Sequence, residues 1–237
     1  MAGRGYNWSS SGRPGPYDDG DEPDFLEDRE RRRKILPANY DEPHENRVSL
    51  IIIGDSIVRD LDLPRDDFRV FSYPGATLNR DTIVEFEIKI RYYKRLERGT
   101  TVVVHIGSNN LLYYGSAASS PQPLINEMRR ALANWIQIPR IRIIINGILP
   151  RAYALHRDLI DAANRDLQEL IAEPNYRGRV NFHAIQNRFI HNHGLIRGST
   201  QELRLFKRNF SNPSQDGIHL NSKGLTVFAY AINDAVR

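Results

Sequence analysis

Ser49-Leu50-Ile51-Ile52-Ile53-Gly54-Asp55-Ser56 is the stretch from which the fold is read. Leucine and three consecutive isoleucines make a short, continuous apolar run, the pattern of a strand buried on both faces. Such strands belong to parallel sheets covered by helices. Gly54-Asp55-Ser56 then breaks the run sharply. It leaves a serine hydroxyl at the carboxyl end of the strand, where ligands bind in open parallel α/β sheets. Ser56 is therefore a candidate nucleophile. The competing reading is a turn in which Asp55 or Ser56 caps a helix. On the tripeptide alone the cap is the commoner case, so the rest of the chain has to decide.

Downstream the pattern alternates. Phe68-Arg69-Val70-Phe71 reads as a second strand, ended by Ser72-Tyr73-Pro74-Gly75. Residues 77–98 read as a helix, with Ile83, Phe86, Ile90 and Tyr93 at helical spacing and Gly99 as the stop. Thr101 to Ile106 is a β-branched third strand ending at Gly107, and residues 111–121 form a loop of small residues. Leu124, Met128, Ala131, Leu132 and Trp135 mark the next helix, closed by Pro139. Residues 140–145 make the fourth strand, 152–173 a second strongly amphipathic helix, and 179–182 a weak fifth strand. A long loop rich in Asn, His and Arg spans 186–218, and a final helix runs from Ser222 to Ala235. Strands alternating with long helices imply right-handed crossovers. The expected fold is a flavodoxin-like, three-layer α/β/α sandwich with about five parallel strands and no internal repeat.

Upstream, residues 1–47 are a different material. They are rich in Gly, Ser, Pro, Asp and Arg and poor in aliphatics, so they are expected to be a disordered, charged arm. The folded domain is expected to span 48–237. Residues 1–48 carry 8 Lys/Arg against 11 Asp/Glu, whereas the remainder carries 25 against 18. A moderately basic domain permits weak attraction to nucleic acid without requiring it. The cluster Glu30-Arg31-Arg32-Arg33-Lys34 reads first as a solvated charge run, with nuclear targeting or RNA contact as the alternative. No cysteine is present, which excludes disulfides and thiolate metal sites. No signal-peptide core and no membrane-length apolar run is found. The chain is read as soluble and intracellular, cytoplasmic, with a nuclear location left open.

A parallel sheet brings its carboxyl ends to one rim, so four polar loops converge there. They are Gly54-Asp55-Ser56, Pro74-Gly75-Ala76-Thr77, Gly107-Ser108-Asn109-Asn110 and Asp216-Gly217-Ile218-His219. Acyl transfer needs a nucleophile, a base, a group that orients the base, and donors for an oxyanion. Ser56 fills the first role and His219 the second. Asp216, three residues before His219, suits the third by accepting the other imidazole N–H. Gly75 offers a backbone N–H with no side chain in the way. Asn109 offers an amide NH₂, and Ser56 its own N–H at a helix N-terminus.

These blocks, in this order and at these places, resemble the four signature blocks of the SGNH (GDSL-type) hydrolases over residues 48–236. The resemblance implies a flavodoxin-like sandwich. It implies hydrolysis of an ester, thioester or acetyl group on a small-molecule or acylated substrate, with no metal or organic cofactor. It gives Ser56, His219 and Asp216 the catalytic roles, and Ser56, Gly75 and Asn109 the oxyanion hole. Two positions depart from the family pattern. Asp60 stands where a glycine is frequent, and Asn110 where an aspartate is; the second leaves open how that loop is braced. The wider blocks, Gly54 to Arg59, Tyr73 to Ala76, His105 to Leu111 and Asp216 to Asn221, also resemble the esterase-type domains of LINE-type retrotransposon proteins. From a different class comes the rival function, an interaction or nucleic-acid-associated module on this scaffold with weak or no catalysis.

The remaining features read as structure. His105, inside a strand, is expected to be a satisfied core or rim histidine. His191-Asn192-His193 lacks a nearby carboxylate and is poor evidence for a metal site. Trp135 and Met128 belong to a core stripe. Tyr92, Tyr93, Tyr113 and Tyr114, interleaved with Lys94, Arg95 and Arg98, read as core aromatics beside solvated charges, with nucleic-acid stacking as the alternative. Residues 115–121 lie where a lid would sit. Neither a Gly-x-Ser-x-Gly elbow nor a phosphate or dinucleotide fingerprint occurs.

Overall fold

A computed structural model of the chain describes residues 48–95, 98–113, 116–117, 120–150, 157–189, 206–208 and 216–237, with 112–113, 116–117, 206–208 and 216–218 by their backbone alone. The expected arm 1–47, the basic cluster 30–34, His191, His193 and Tyr114 lie outside the described residues.

The strands are β1 (Leu50–Gly54), β2 (Phe68–Ser72), β3 (Thr100–His105), the short β4 (Leu112–Tyr113) and β5 (Ser116–Ala117), β6 (Ile141–Asn146), β7 (Val180–His183), β8 (Phe206–Arg208) and β9 (Asp216–Leu220). The α-helices are α1 (Arg80–Tyr93), the single turn α2 (Ser108–Leu111), α3 (Gln122–Trp135), α4 (Arg157–Ala172) and α5 (Ser222–Ala235). Five strands form one parallel sheet in the order β2-β1-β3-β6-β7. The opening strand lies inside it, paired with β2 on one side and β3 on the other.

Alternation along the strands feeds two cores. Ile51, Ile53, Val102, Val104, Ile143 and Ile145 pack under α1, α3 and α4, with Phe86 and Trp135 stacked at 6.0 Å between ring centres. Leu50, Ile52, Val103 and Ile144 face the other way, against Ile57, Val58 and the α5 residues Phe228 and Ile232. This is the expected three-layer α/β/α arrangement.

Three boundaries differ from expectation. α1 begins only after Asn79, whose side chain accepts from the Thr82 N–H, and ends at Tyr93 rather than Arg98. Lys94 takes an extended conformation and bridges Val48, and Thr100 Oγ1 accepts the Arg95 N–H at 2.9 Å; these contacts outweigh the helical spacing. The supposed loop 186–218 contains β8 and the start of β9, an antiparallel pair. Residues 111–121 hold the two-residue pair β4 and β5.

Candidate active site

The exit of β1 is set by how closely it approaches β3. Asp55 N–H donates to the His105 carbonyl at 3.2 Å, and a Cβ on Gly54 would stand 2.1 Å from that same oxygen. Only glycine lets the two backbones come so close. Asp55 then turns inward. It is 1% exposed; its Oδ1 accepts the Ile57 N–H at 2.9 Å, and its carbonyl accepts the Ser72 hydroxyl at 2.9 Å. Asp55 is thus the cap that shapes the turn. What it caps is one 3₁₀ turn, Ser56–Val58, not the expected helix. No helix macrodipole stands behind the Ser56 N–H, so the reinforcement expected from a helix N-terminus is missing there.

Ser56 Oγ lies 2.8 Å from Nε2 of His219, a residue 163 positions further along the chain. His219 arrives on β9, and α5 starts just beyond it, capped by Asn221 Oδ1 accepting from the Gly224 N–H at 2.8 Å. β9 is not regular. Phe206 pairs with Leu220 and Arg208 with Asp216, so four steps of one strand oppose two of the other. A strict strand sends residues three apart to opposite faces; the register shifts somewhere between Asp216 and Leu220, so strict alternation does not hold along this segment. The Asp216 side chain lies outside what the structure describes.

Gly75 sits at the next strand exit. The Tyr73-Pro74-Gly75-Ala76 turn closes with Ala76 N–H donating to the Tyr73 carbonyl at 3.0 Å, and Gly75 has φ +75°. Proline second and a positive-φ glycine third is the type II pattern. A Cβ on Gly75 would meet nothing within 4 Å, so the turn, not crowding, calls for glycine. Tyr73 donates its phenol to Glu85 Oε1 at 3.1 Å, and burial and that carboxylate push its pKa up.

The third exit brings Asn109 beside this turn. Its Nδ2 donates to the Ala76 carbonyl at 3.0 Å. An amide carries a second N–H, and no described residue takes it. Asn110 is a residue whose part the sequence left open. Leu78 N–H donates to its Oδ1 at 2.7 Å, and its Nδ2 donates back to the Leu78 carbonyl at 2.9 Å. The amide's dual chemistry was the available signal.

His105 is in the core, as expected, yet not fully satisfied. It is 1% exposed and lies edge-on to Phe228 at 5.1 Å, and its Nδ1 has no hydrogen-bond partner among the described residues. Burial pulls its pKa down to about 3, so the ring is neutral near pH 7. Tyr93 packs half-buried on Phe71 and Tyr92, in line with the core reading. A small cavity of about 30 Å³ adjoins the serine and histidine, lined by Ser56, Ile57, Arg59, Asp60, His219, Leu220 and Leu225.

No protein-family model and no curated protein matches the chain in sequence. Solved structures do match its fold. A candidate platelet activating factor from Streptococcus pneumonia is 15% identical and covers 90% of this chain and 94% of its own, with a TM-score of 0.61. A member of the lipolytic G-D-S-L family from Veillonella parvula is 13% identical over 78% of this chain and 96% of its own, with a TM-score of 0.56. The fold is that of the SGNH, or GDSL-type, hydrolases. The esterase domain of the zebrafish ZfL2-1 retrotransposon ORF1 protein is 23% identical over 80% of this chain and 99% of its own. Its TM-score is 0.37, too low to bear on the narrower resemblance. Among the described residues of this SGNH fold, no helix is long and apolar enough to cross a membrane.

Proposed function

We propose that the chain is a serine esterase of the SGNH type, with residues 48–237 as its catalytic domain and 1–47 as an appended charged arm. The observation that carries this reading is the 2.8 Å contact between Ser56 Oγ and His219 Nε2 at the carboxyl rim of the sheet. A nucleophile and its base need that reach. Solved relatives in fold are named as lipolytic, which agrees with it.

Ser56 Oγ adds to the carbonyl carbon of an ester while its proton passes to His219 Nε2. The carbonyl π pair moves onto oxygen. That oxyanion is met by the N–H groups of Ser56 and Gly75 and by the second N–H of Asn109. Collapse re-forms the carbonyl and breaks the bond to the alcohol oxygen, which takes the proton from His219. Water then attacks the acyl-enzyme with His219 as base, releasing the acid and free Ser56. To accept at Nε2, neutral His219 must carry its proton on Nδ1; Asp216 is the residue assigned to hold that proton and to balance the imidazolium.

A fluorophosphonate probe tests the nucleophile without knowledge of the substrate. Wild-type protein is expected to be labelled, and Ser56→Ala is not. Turnover of p-nitrophenyl acetate should fall roughly 10³-fold or more in Ser56→Ala and His219→Ala, and roughly 10²- to 10³-fold in Asn109→Ala. Labelling that is indifferent to Ser56→Ala removes the reading.

A further inference from the structure

The Ser56 N–H, one of the donors assigned to the oxyanion, opens a single 3₁₀ turn and not a helix. The peptide group that carries it also carries the Asp55 carbonyl. In a trans peptide the N–H and the C=O point in opposite directions, so whatever holds the carbonyl aims the N–H. Ser72, the last residue of β2, holds it, donating its hydroxyl to the Asp55 carbonyl at 2.9 Å. No described residue accepts the Ser56 N–H itself.

The neighbouring bonds do not do the same. Asp55 N–H donates to the His105 carbonyl at 3.2 Å, and Asp55 Oδ1 accepts the Ile57 N–H at 2.9 Å. Both hold groups on either side of the Asp55–Ser56 peptide. That peptide can still turn about the line joining its two Cα atoms, because each residue has two soft dihedrals. The Ser72 hydroxyl opposes that turn. Ser72 also belongs to the second donor loop. It stands opposite Gly54 in the parallel pairing of β1 and β2, and the next N–H, of Tyr73, donates to the Gly54 carbonyl at 2.8 Å. Gly75 lies three residues further on. The hydroxyl therefore ties the Ser56 peptide to the strand end that presents the Gly75 N–H.

Resting on the esterase reading, we propose that Ser72 is a positioning residue for the oxyanion site: its hydroxyl fixes and polarises the Asp55–Ser56 peptide, so that the Ser56 N–H meets the oxyanion. The polarisation follows from hydrogen bonds in a chain strengthening one another. A donor on the carbonyl oxygen draws electron density toward it and makes the N–H of the same peptide a stronger donor. A helix N-terminus supplies such reinforcement through its aligned peptides; here one side-chain hydroxyl supplies it. Ser72 acts through that peptide and not on the reacting atoms.

Ser72→Ala removes the hydroxyl, whereas Ser72→Thr keeps it on a β-branched residue suited to a strand. Ser72→Ala should label with fluorophosphonate about 10- to 100-fold more slowly than wild type, the loss expected of a misplaced catalytic group. Its kcat for p-nitrophenyl acetate should fall by the same factor, with KM within about twofold, since the lost interaction serves the transition state. Ser72→Thr should stay within about threefold of wild type in both measurements, because the donor is retained. The NMR resonance of the Ser56 amide reports on the peptide directly. It should move in Ser72→Ala and return toward its wild-type position in Ser72→Thr. Thermal unfolding, followed for each protein, separates a lost fold from a displaced site. Should Ser72→Ala not fold, Ser72→Cys takes its place as a weaker donor of the same shape and should be slowed in the same direction. A folded Ser72→Ala that labels at the wild-type rate overturns the proposal. So does equal slowing in Ser72→Ala and Ser72→Thr, which would trace the effect to strand packing, and so does slowing with the Ser56 amide resonance unmoved. Absence of labelling in wild type overturns the esterase reading, and this proposal with it. Labelling of wild type that is indifferent to the Ser72 variants overturns this proposal alone.

Discussion

Gly54 and Gly75 are both motif glycines, but different physics holds each in place. At Gly54 a methyl group would stand 2.1 Å from the His105 carbonyl oxygen, and a backbone oxygen has no rotamer into which to retreat. β1 and β3 would have to part, so Gly54→Ala should cost about 3 kcal/mol, measured as a fall in the urea midpoint. At Gly75 there is room for the methyl but φ is +75°, a conformation that costs an L-residue about 1–2 kcal/mol. Gly75→Ala should therefore lose less stability than Gly54→Ala while losing more activity, because the peptide that relaxes is the one assigned to the oxyanion. Equal stability losses in the two variants would contradict this division. Sequence gave a chemical reason for Gly75 and none for Gly54. The close approach of two backbones is a property of the folded sheet and leaves no mark on neighbouring residue types.

Elements whose pattern is strong were legible, and those whose shape depends on a distant partner were not. The isoleucine and valine runs of β1, β3 and β6 announced themselves, as did α5, because each is specified within a few residues. The end of α1 was misread because Lys94 is drawn away by Val48, some 46 residues earlier in the sequence. β9 was read as loop because its partner, β8, is three residues long and the pair carries a bulge. At the candidate site, Ser56, Gly75, Asn109 and His219 could be named from their blocks, whereas Asn110 could not be assigned until its amide was seen against Leu78. The cavity between the 3₁₀ turn and α5 is an element-scale feature of the same kind. Its apolar side is made by Ile57, Leu220 and Leu225, and at about 30 Å³ it holds roughly one water-sized group. If it receives the acyl chain, acetyl esters should be hydrolysed faster than octanoyl esters. Leu225→Ala, at the start of α5, should narrow the gap by admitting longer chains. A preference for octanoyl in the wild type would assign the acyl chain to another surface.

The layering of the domain that carries the sheet follows from one physical fact, that strands apolar on both faces need cover on both. Sequence alternation therefore sufficed for the α/β/α architecture. What it did not convey is which elements cover each face: among the described residues, α1, α3 and α4 pack on one, while α5 and the 3₁₀ turn Ser56–Val58 pack on the other. On the α5 side His105 lies edge-on against Phe228. This has a consequence for the stability of the entire domain. Burial lowers the His105 pKa from 6.5 to about 3. Between those values the unfolded chain binds a proton at this site and the folded chain does not, so stability falls as the pH falls. The contribution is fully present above about pH 6.5 and is lost at up to about 1.4 kcal/mol per pH unit toward pH 3. His183, also lowered by burial and by Arg188, pushes in the same direction. His105→Leu removes one of these two acid liabilities whatever it does to packing. The stability of wild type minus that of the variant, from urea unfolding, should therefore shrink by about 2 kcal/mol between pH 7 and pH 5. A difference that is the same at both pH values would mean that the His105 ring takes up its proton without leaving the folded core.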